Sequence, residues 1–96
     1  MDKDEALRIL TRELESLRAM SYPALAERVG PAQSLTRMGA DGTEYQIEIE
    51  VFPDSPRQPH GNLRVTASID DGTLPAAILP NTRDFILGPG GAFIGE

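Results

Sequence analysis

Residues Tyr45 to Phe52 alternate without a break. Tyr45, Ile47, Ile49 and Val51 fall on one side of an extended chain, and Gln46, Glu48 and Glu50 on the other. Side chains of a strand point to opposite faces with a period of two, so this segment predicts a β-strand with one dry and one acidic face. Leu63 to Asp70 repeats the pattern, with Leu63, Val65, Ala67 and Ile69 inward and Arg64, Thr66, Ser68 and Asp70 outward. Strands of this kind belong to an antiparallel sheet packed on one side only, since a sheet buried on both faces reads as continuous apolar runs.

The neighbouring residues set a register. Gly39-Ala40-Asp41-Gly42-Thr43 predicts a hairpin with a three-residue loop whose Gly42 takes the left-handed position. Closing it between Gly39 and Thr43 puts Arg37 opposite Tyr45 and Leu35 opposite Ile47, which places Leu35 on the apolar face. A two-residue turn would bury Ser34 and Thr36 instead. Pro53 to Gly61 is polar and proline-rich, and reads as a wide polyproline-like loop joining the two alternating strands; the competing reading is a ligand for a proline-recognising domain. A loop centred near Arg57 places Glu50 opposite Arg64, a cross-strand pair worth about 0.2 to 1 kcal/mol.

Two helices come first. Leu7, Leu10, Leu14 and Leu17, widened by Ala6, Ile9 and Met20, form one stripe over about 2–20. Two heptads are short for a coiled-coil seam, so the stripe is expected to pack on the chain's own sheet. Asp2 and Glu5 have the spacing of a capping box, and Asp4 with Arg8 that of an i,i+4 ion pair. Ser21-Tyr22-Pro23 ends this helix and starts a second over about 22–29, because serine caps well and proline is tolerated in a first turn. Tyr22, Leu25, Ala26 and Val29 form its apolar face, and Gly30-Pro31 stops it.

Composition excludes several classes of function. The chain has 96 residues, no cysteine and a net charge of -6. Disulfides, thiolate zinc sites and thiol nucleophiles are therefore impossible. Residues 31–96 hold nine acids against four arginines, so the acidity belongs to the sheet half. Nucleic-acid binding rests on clustered Lys and Arg that displace phosphate counterions, and this field is opposite in sign. An anionic membrane is disfavoured on the same ground, and the acidic start running into an amphipathic helix implies a cytoplasmic protein. A basic protein partner is allowed, and no cofactor is implied.

The candidate partner-binding surface is the outward acidic set Glu44, Glu48, Glu50 and Asp70. Asp70-Asp71-Gly72-Thr73 reads first as a turn; the alternative is a small-molecule or divalent-metal-dependent enzyme or binding protein with a pocket between helices and sheet, using Asp70, Asp71 or His60 with a divalent ion. His60, the only histidine, lies in the proline-rich loop with no orienting partner nearby in sequence, so it is expected to be an exposed loop residue. Leu74 to Pro80 is apolar but bracketed by prolines, and fits either the end of the core or an exposed patch for a partner; monomer and homodimer both accommodate it. Asp84 to Gly95 predicts a short terminal hairpin about Gly88-Pro89-Gly90-Gly91, which lacks either glycine-rich phosphate motif.

The combination of Tyr45-Gln46-Ile47-Glu48-Ile49, Ile69-Asp70-Asp71-Gly72, Asp84-Phe85-Ile86 and Gly91-Ala92-Phe93-Ile94-Gly95-Glu96 resembles a family of small bacterial proteins of uncharacterised function. The resemblance spans nearly the whole chain. It implies a bacterial source and a self-contained domain, and carries no catalytic signature. The expected fold is α+β, with two N-terminal helices on one face of an antiparallel meander whose strands run about 33–39, 43–52, 62–70 and, as a hairpin, 84–95. The expected function is a noncatalytic interaction module that meets a basic partner through its acidic sheet face.

Overall fold

A computed structural model describes residues 2–72 and 81–96. The elements run α1 (Lys3–Arg18), α2 (Tyr22–Ala26), β1 (Gln33–Met38), β2 (Glu44–Pro53), β3 (Leu63–Asp70) and β4 (Asn81–Leu87). The four strands form one antiparallel sheet in the order β1-β2-β3-β4, with both helices before it in sequence. This is the α+β arrangement that the segregated patterns predict.

The alternation along β2 and β3 is realised residue by residue. Tyr45, Ile47, Ile49, Val51, Leu63, Val65, Ala67 and Ile69 are buried, while Gln46, Glu48 and Glu50 are exposed. The buried row meets Ala6, Ile9, Leu10 and Leu17 of α1, Leu25 of α2, and Phe85 and Leu87 of β4. The helical stripe is rotated from the expected one. Ala6 and Leu10 are fully buried, Ile9 is buried on the side away from Leu7, Leu14 is half-buried, and Leu7 is 37% exposed.

Local chemistry fixes the start of each helix. Asp2 Oδ1 accepts from the N–H groups of Asp4 and Glu5, both at 3.1 Å, satisfying donors that a helix leaves orphaned. Only half of the expected capping box forms, because the Glu5 carboxylate turns instead to Arg8 Nε (3.0 Å) and the Ala40 N–H (2.9 Å). Arg8 therefore pairs with Glu5 rather than with Asp4. Ser21 caps α2 by accepting from the Ala24 N–H at 3.3 Å. α2 is shorter than its apolar pattern, and Val29, beyond its end, makes a parallel bridge to Val51.

The β1–β2 hairpin has the expected register, with Arg37 opposite Tyr45 and Leu35 opposite Ile47. Its loop is closed by Gly39 N–H to Thr43 O at 2.7 Å and Gly42 N–H to Gly39 O at 3.0 Å. Gly42 takes φ +82°, the left-handed conformation that favours glycine. Gly39 serves close packing instead, since a Cβ there would lie 2.7 Å from Cε2 of the buried Tyr45 ring.

The expected terminal turn about Gly88 to Gly91 forms, with Gly88 N–H donating to Ala92 O at 2.8 Å, but the strand leading into it is longer than expected. β4 begins at Asn81 and pairs with β3 as a full fourth strand. Beyond it, a turn at Gly88 brings Phe93 back to bridge Leu87, and Ile94 N–H donates to Ile86 O at 2.9 Å. Phe93 packs edge-on to Phe85, and the Arg18 guanidinium lies 4.0 Å from the Phe93 centroid while forking onto Glu96 at 2.6 and 2.7 Å. α1 thus crosses the sheet from the β1–β2 loop, where Glu5 holds Ala40, to the chain end, where Arg18 holds Glu96. The segment Leu74 to Pro80 lies outside the described residues.

Candidate functional site

Both helices lie against the buried side of the sheet, and among the described residues no element covers the other side. The registers lay out this open face in rows. Ser34, Glu48, Ser68 and Thr82 share one row, and Glu50, Thr66 and Asp84 the next. Thr36, Gln46 and Asp70 form the row on the other side, beyond which Glu44 faces Met38. Same-face neighbours along a strand are about 7 Å apart and adjacent strands about 4.8 Å. Glu48 and Glu50 are therefore close neighbours, with Glu44 farther up the same strand.

The expected neutralisation of this row does not occur. Glu50 faces Thr66, and Arg64 faces Phe52. The register is set by the long loop, which is built as two successive turns rather than a polyproline arc. Gln58 N–H donates to Ser55 O and Gly61 N–H to Gln58 O, both at 2.9 Å, while Asp54 N–H reaches Asn62 O at 2.9 Å. The loop is thus centred near Gln58, which moves Arg64 two residues away from Glu50. Arg64 instead bonds Asp54 (Nε to Oδ1, 3.0 Å) and Asp84, forming an ion cluster at the far end of the face. Arg37 lies opposite Tyr45, which places it on the helix side, where its Nε donates to Glu13 Oε1 at 2.6 Å.

Among the described residues the side chains of Glu48 and Glu50 make no hydrogen bond or ion pair. Glu44 accepts from Gln46 Nε2 at 3.1 Å, a neutral donor that leaves its charge in place. Asp70 is half-buried, and its Oδ1 accepts from the Gly72 N–H at 2.8 Å. Gly72 has φ +79°, so this carboxylate stabilises the turn after β3. The four residues singled out by sequence therefore divide: Glu44, Glu48 and Glu50 form an exposed acidic row, and Asp70 is largely a turn residue at its margin.

Among the described residues, no group of three His, Cys, Asp or Glu side chains converges as a metal site, and no helix is long and apolar enough to cross a membrane. His60 is exposed in the second turn of the long loop. The Tyr45 hydroxyl is buried with no hydrogen-bond partner among the described residues. Burial pushes its pKa up, and the carboxylates of Asp41, Asp2, Glu5 and Asp71 push it the same way, so the phenol stays protonated.

A pocket between helix and sheet is present, but none of Asp70, Asp71 or His60 lines it. Arg8, Ile9, Arg12 and Glu13 of α1 and Arg37 and Met38 of β1 line a cavity of about 180 Å³ beside the open edge of the sheet. Arg8 and Arg12 stand one turn apart on α1, and this like-charged i,i+4 pair was the signal available in the sequence, since such pairs destabilise a helix. Arg37 comes from a distant segment, which only the fold brings alongside. Comparison with protein-family models, curated proteins and solved structures finds no match for this chain.

Proposed function

We propose that this chain is a noncatalytic, cytoplasmic interaction module that engages a basic protein segment through the open face of its sheet. The observation carrying this reading is the exposed pair Glu48 and Glu50, left without a counterion on a face that no described element covers. The chain has arginines to spare for the task of neutralising them. Arg28 and Arg57 make no ion pair among the described residues, yet neither is placed beside the row. Complementary charge across an interface steers encounter and rejects wrong partners more than it adds raw affinity. Lysines or arginines at alternate positions of an extended segment repeat at about 7 Å and match the spacing of Glu48 and Glu50.

Capture from lysate of the source organism, with two charge-reversed proteins as baits, tests this. One bait carries Glu48→Lys and Glu50→Lys, the other Glu15→Lys and Glu27→Lys, which change net charge equally on the exposed helical side. The expected result is a basic protein retained at low salt by the native and Glu15/Glu27 baits, and released by the Glu48/Glu50 bait and by high salt. Retention unaffected by the Glu48/Glu50 change would overturn the acidic-face reading.

A further inference from the structure

We propose that the cavity between α1 and β1 is a binding site for a phosphoryl group. This site is distinct from the acidic face and does not depend on it. It combines small volume, concentrated positive charge and donors already held in place.

About 180 Å³ is below the roughly 300–1,000 Å³ of pockets for drug-sized molecules, so the space suits a single small group. Three arginines line it, against the carboxylates of Glu13 in its wall and Glu5 beside it, leaving one positive charge in excess. That excess is notable in a chain of net charge -6.

The two carboxylates also orient the donors. Glu5 holds Arg8 through Nε and Nη2, leaving Nη1 unengaged. Glu13 holds Nε of Arg37, and the Thr36 carbonyl takes its Nη1 at 3.1 Å, leaving Nη2. The Arg12 side chain makes no hydrogen bond or ion pair among the described residues, so its whole fork remains. Arginine is the side chain suited to forked recognition of phosphate, and two of these three have already lost much of the rotamer freedom that binding would otherwise cost.

The sheet edge adds a backbone donor. Gly39 and Thr43 are hydrogen-bonded across the hairpin, so by the alternation of an antiparallel ladder Arg37 and Leu35 bond β2 while Met38, Thr36 and Ser34 turn their N–H groups outward. The Met38 N–H is therefore available beside the cavity. A phosphoryl group could arrive free, on a small ester, or on a phosphorylated side chain of a segment laid along β1.

The test is a ¹H–¹⁵N NMR titration, reading backbone amides and arginine Nε–H signals at constant ionic strength. The probes are inorganic phosphate, O-phosphoserine and an extended phosphoserine peptide. Saturable shifts are expected at Arg8, Arg12, Arg37 and Met38, with Arg12→Gln weakening binding about tenfold or more. Glu13→Gln, which frees Arg37 and removes a negative charge, is expected to tighten it. Peptide binding at least about tenfold tighter than phosphate assigns a phosphorylated segment as the source; similar affinities assign a small phosphate. Non-saturating shifts that sodium chloride reproduces, or binding untouched by Arg12→Gln in a protein whose remaining spectrum is native, would overturn the proposal.

Discussion

The carboxylates on the two sides of the sheet have different surroundings. On the helix side Glu5 is held by Arg8 and the Ala40 N–H, and Glu13 by Arg37. On the open side Glu48 and Glu50 stand in adjacent positions with no partner among the described residues. Pairing on the open side is thus partial: Asp84, in the same row as Glu50, is held by Arg64, while Glu48 and Glu50 are not. Where two layers meet, a carboxylate costs desolvation and must be hydrogen-bonded; on an uncovered face water solvates it, and its identity is not dictated by packing. Buried residues on the helix side accordingly report on folding, whereas substitutions at Glu48 and Glu50 on the open side are expected to leave the packing untouched.

The sharpest break between the two sides is expected from truncation. Leu10 is fully buried beneath α1, and Leu10→Ala removes side-chain volume from the contact between helix and sheet. A loss of about 2–5 kcal/mol is expected from urea unfolding monitored by circular dichroism. A loss below about 1 kcal/mol would mean that the helix and sheet are not packed as tightly as this burial implies.

A smaller effect, with a pH signature, is expected at Glu5. The hydrogen bond from Arg8 and then that from the Ala40 N–H hold its pKa at about 2, well below the ordinary 4.5. A carboxyl whose folded pKa is depressed binds protons more readily in the unfolded chain, so its stabilisation is complete above pH 4.5 and disappears as pH falls through 2. Glu5→Gln is therefore expected to be less stable than the native chain at pH 7, with the difference closing between pH 4.5 and 2. Denaturant midpoints measured across that range check it, and a constant difference would show that Glu5 acts through packing alone.

The sequence makes some of this arrangement legible and hides the rest for physical reasons. The β1–β2 register follows from Gly42 and the alternation of Tyr45 to Val51, because a one-residue slip would expose the whole apolar row. The β2–β3 register does not follow, since the two turns at Ser55–Gln58 and Gln58–Gly61 are backbone hydrogen bonds that a proline-rich composition leaves unspecified. That two-residue difference sends Arg64 to Asp54 and Asp84 and leaves Glu50 bare. The rotation of the helical stripe toward Ala6 and Ile9 has a similar origin, because a periodic pattern gives the width of an apolar face before the partner selects its centre. The arginine cavity depends on Arg37 meeting α1 across the fold, a juxtaposition with no local signature.

The smallest effect tests the open face directly. Glu48 and Glu50 lie about 7 Å apart on one strand, close enough to repel, and among the described residues neither side chain makes a hydrogen bond or ion pair that its loss would break. Glu48→Gln with Glu50→Gln keeps shape and polarity while removing both charges. Stability is expected to stay within about 0.5 kcal/mol of the native chain, as for surface substitutions generally. Any change should be a gain, larger at low ionic strength, where like charges are least screened. Thermal and urea unfolding at two salt concentrations measure it. A loss above about 1 kcal/mol would show that these carboxylates support the sheet itself, and the contrast between a packed face and an uncovered one would no longer hold.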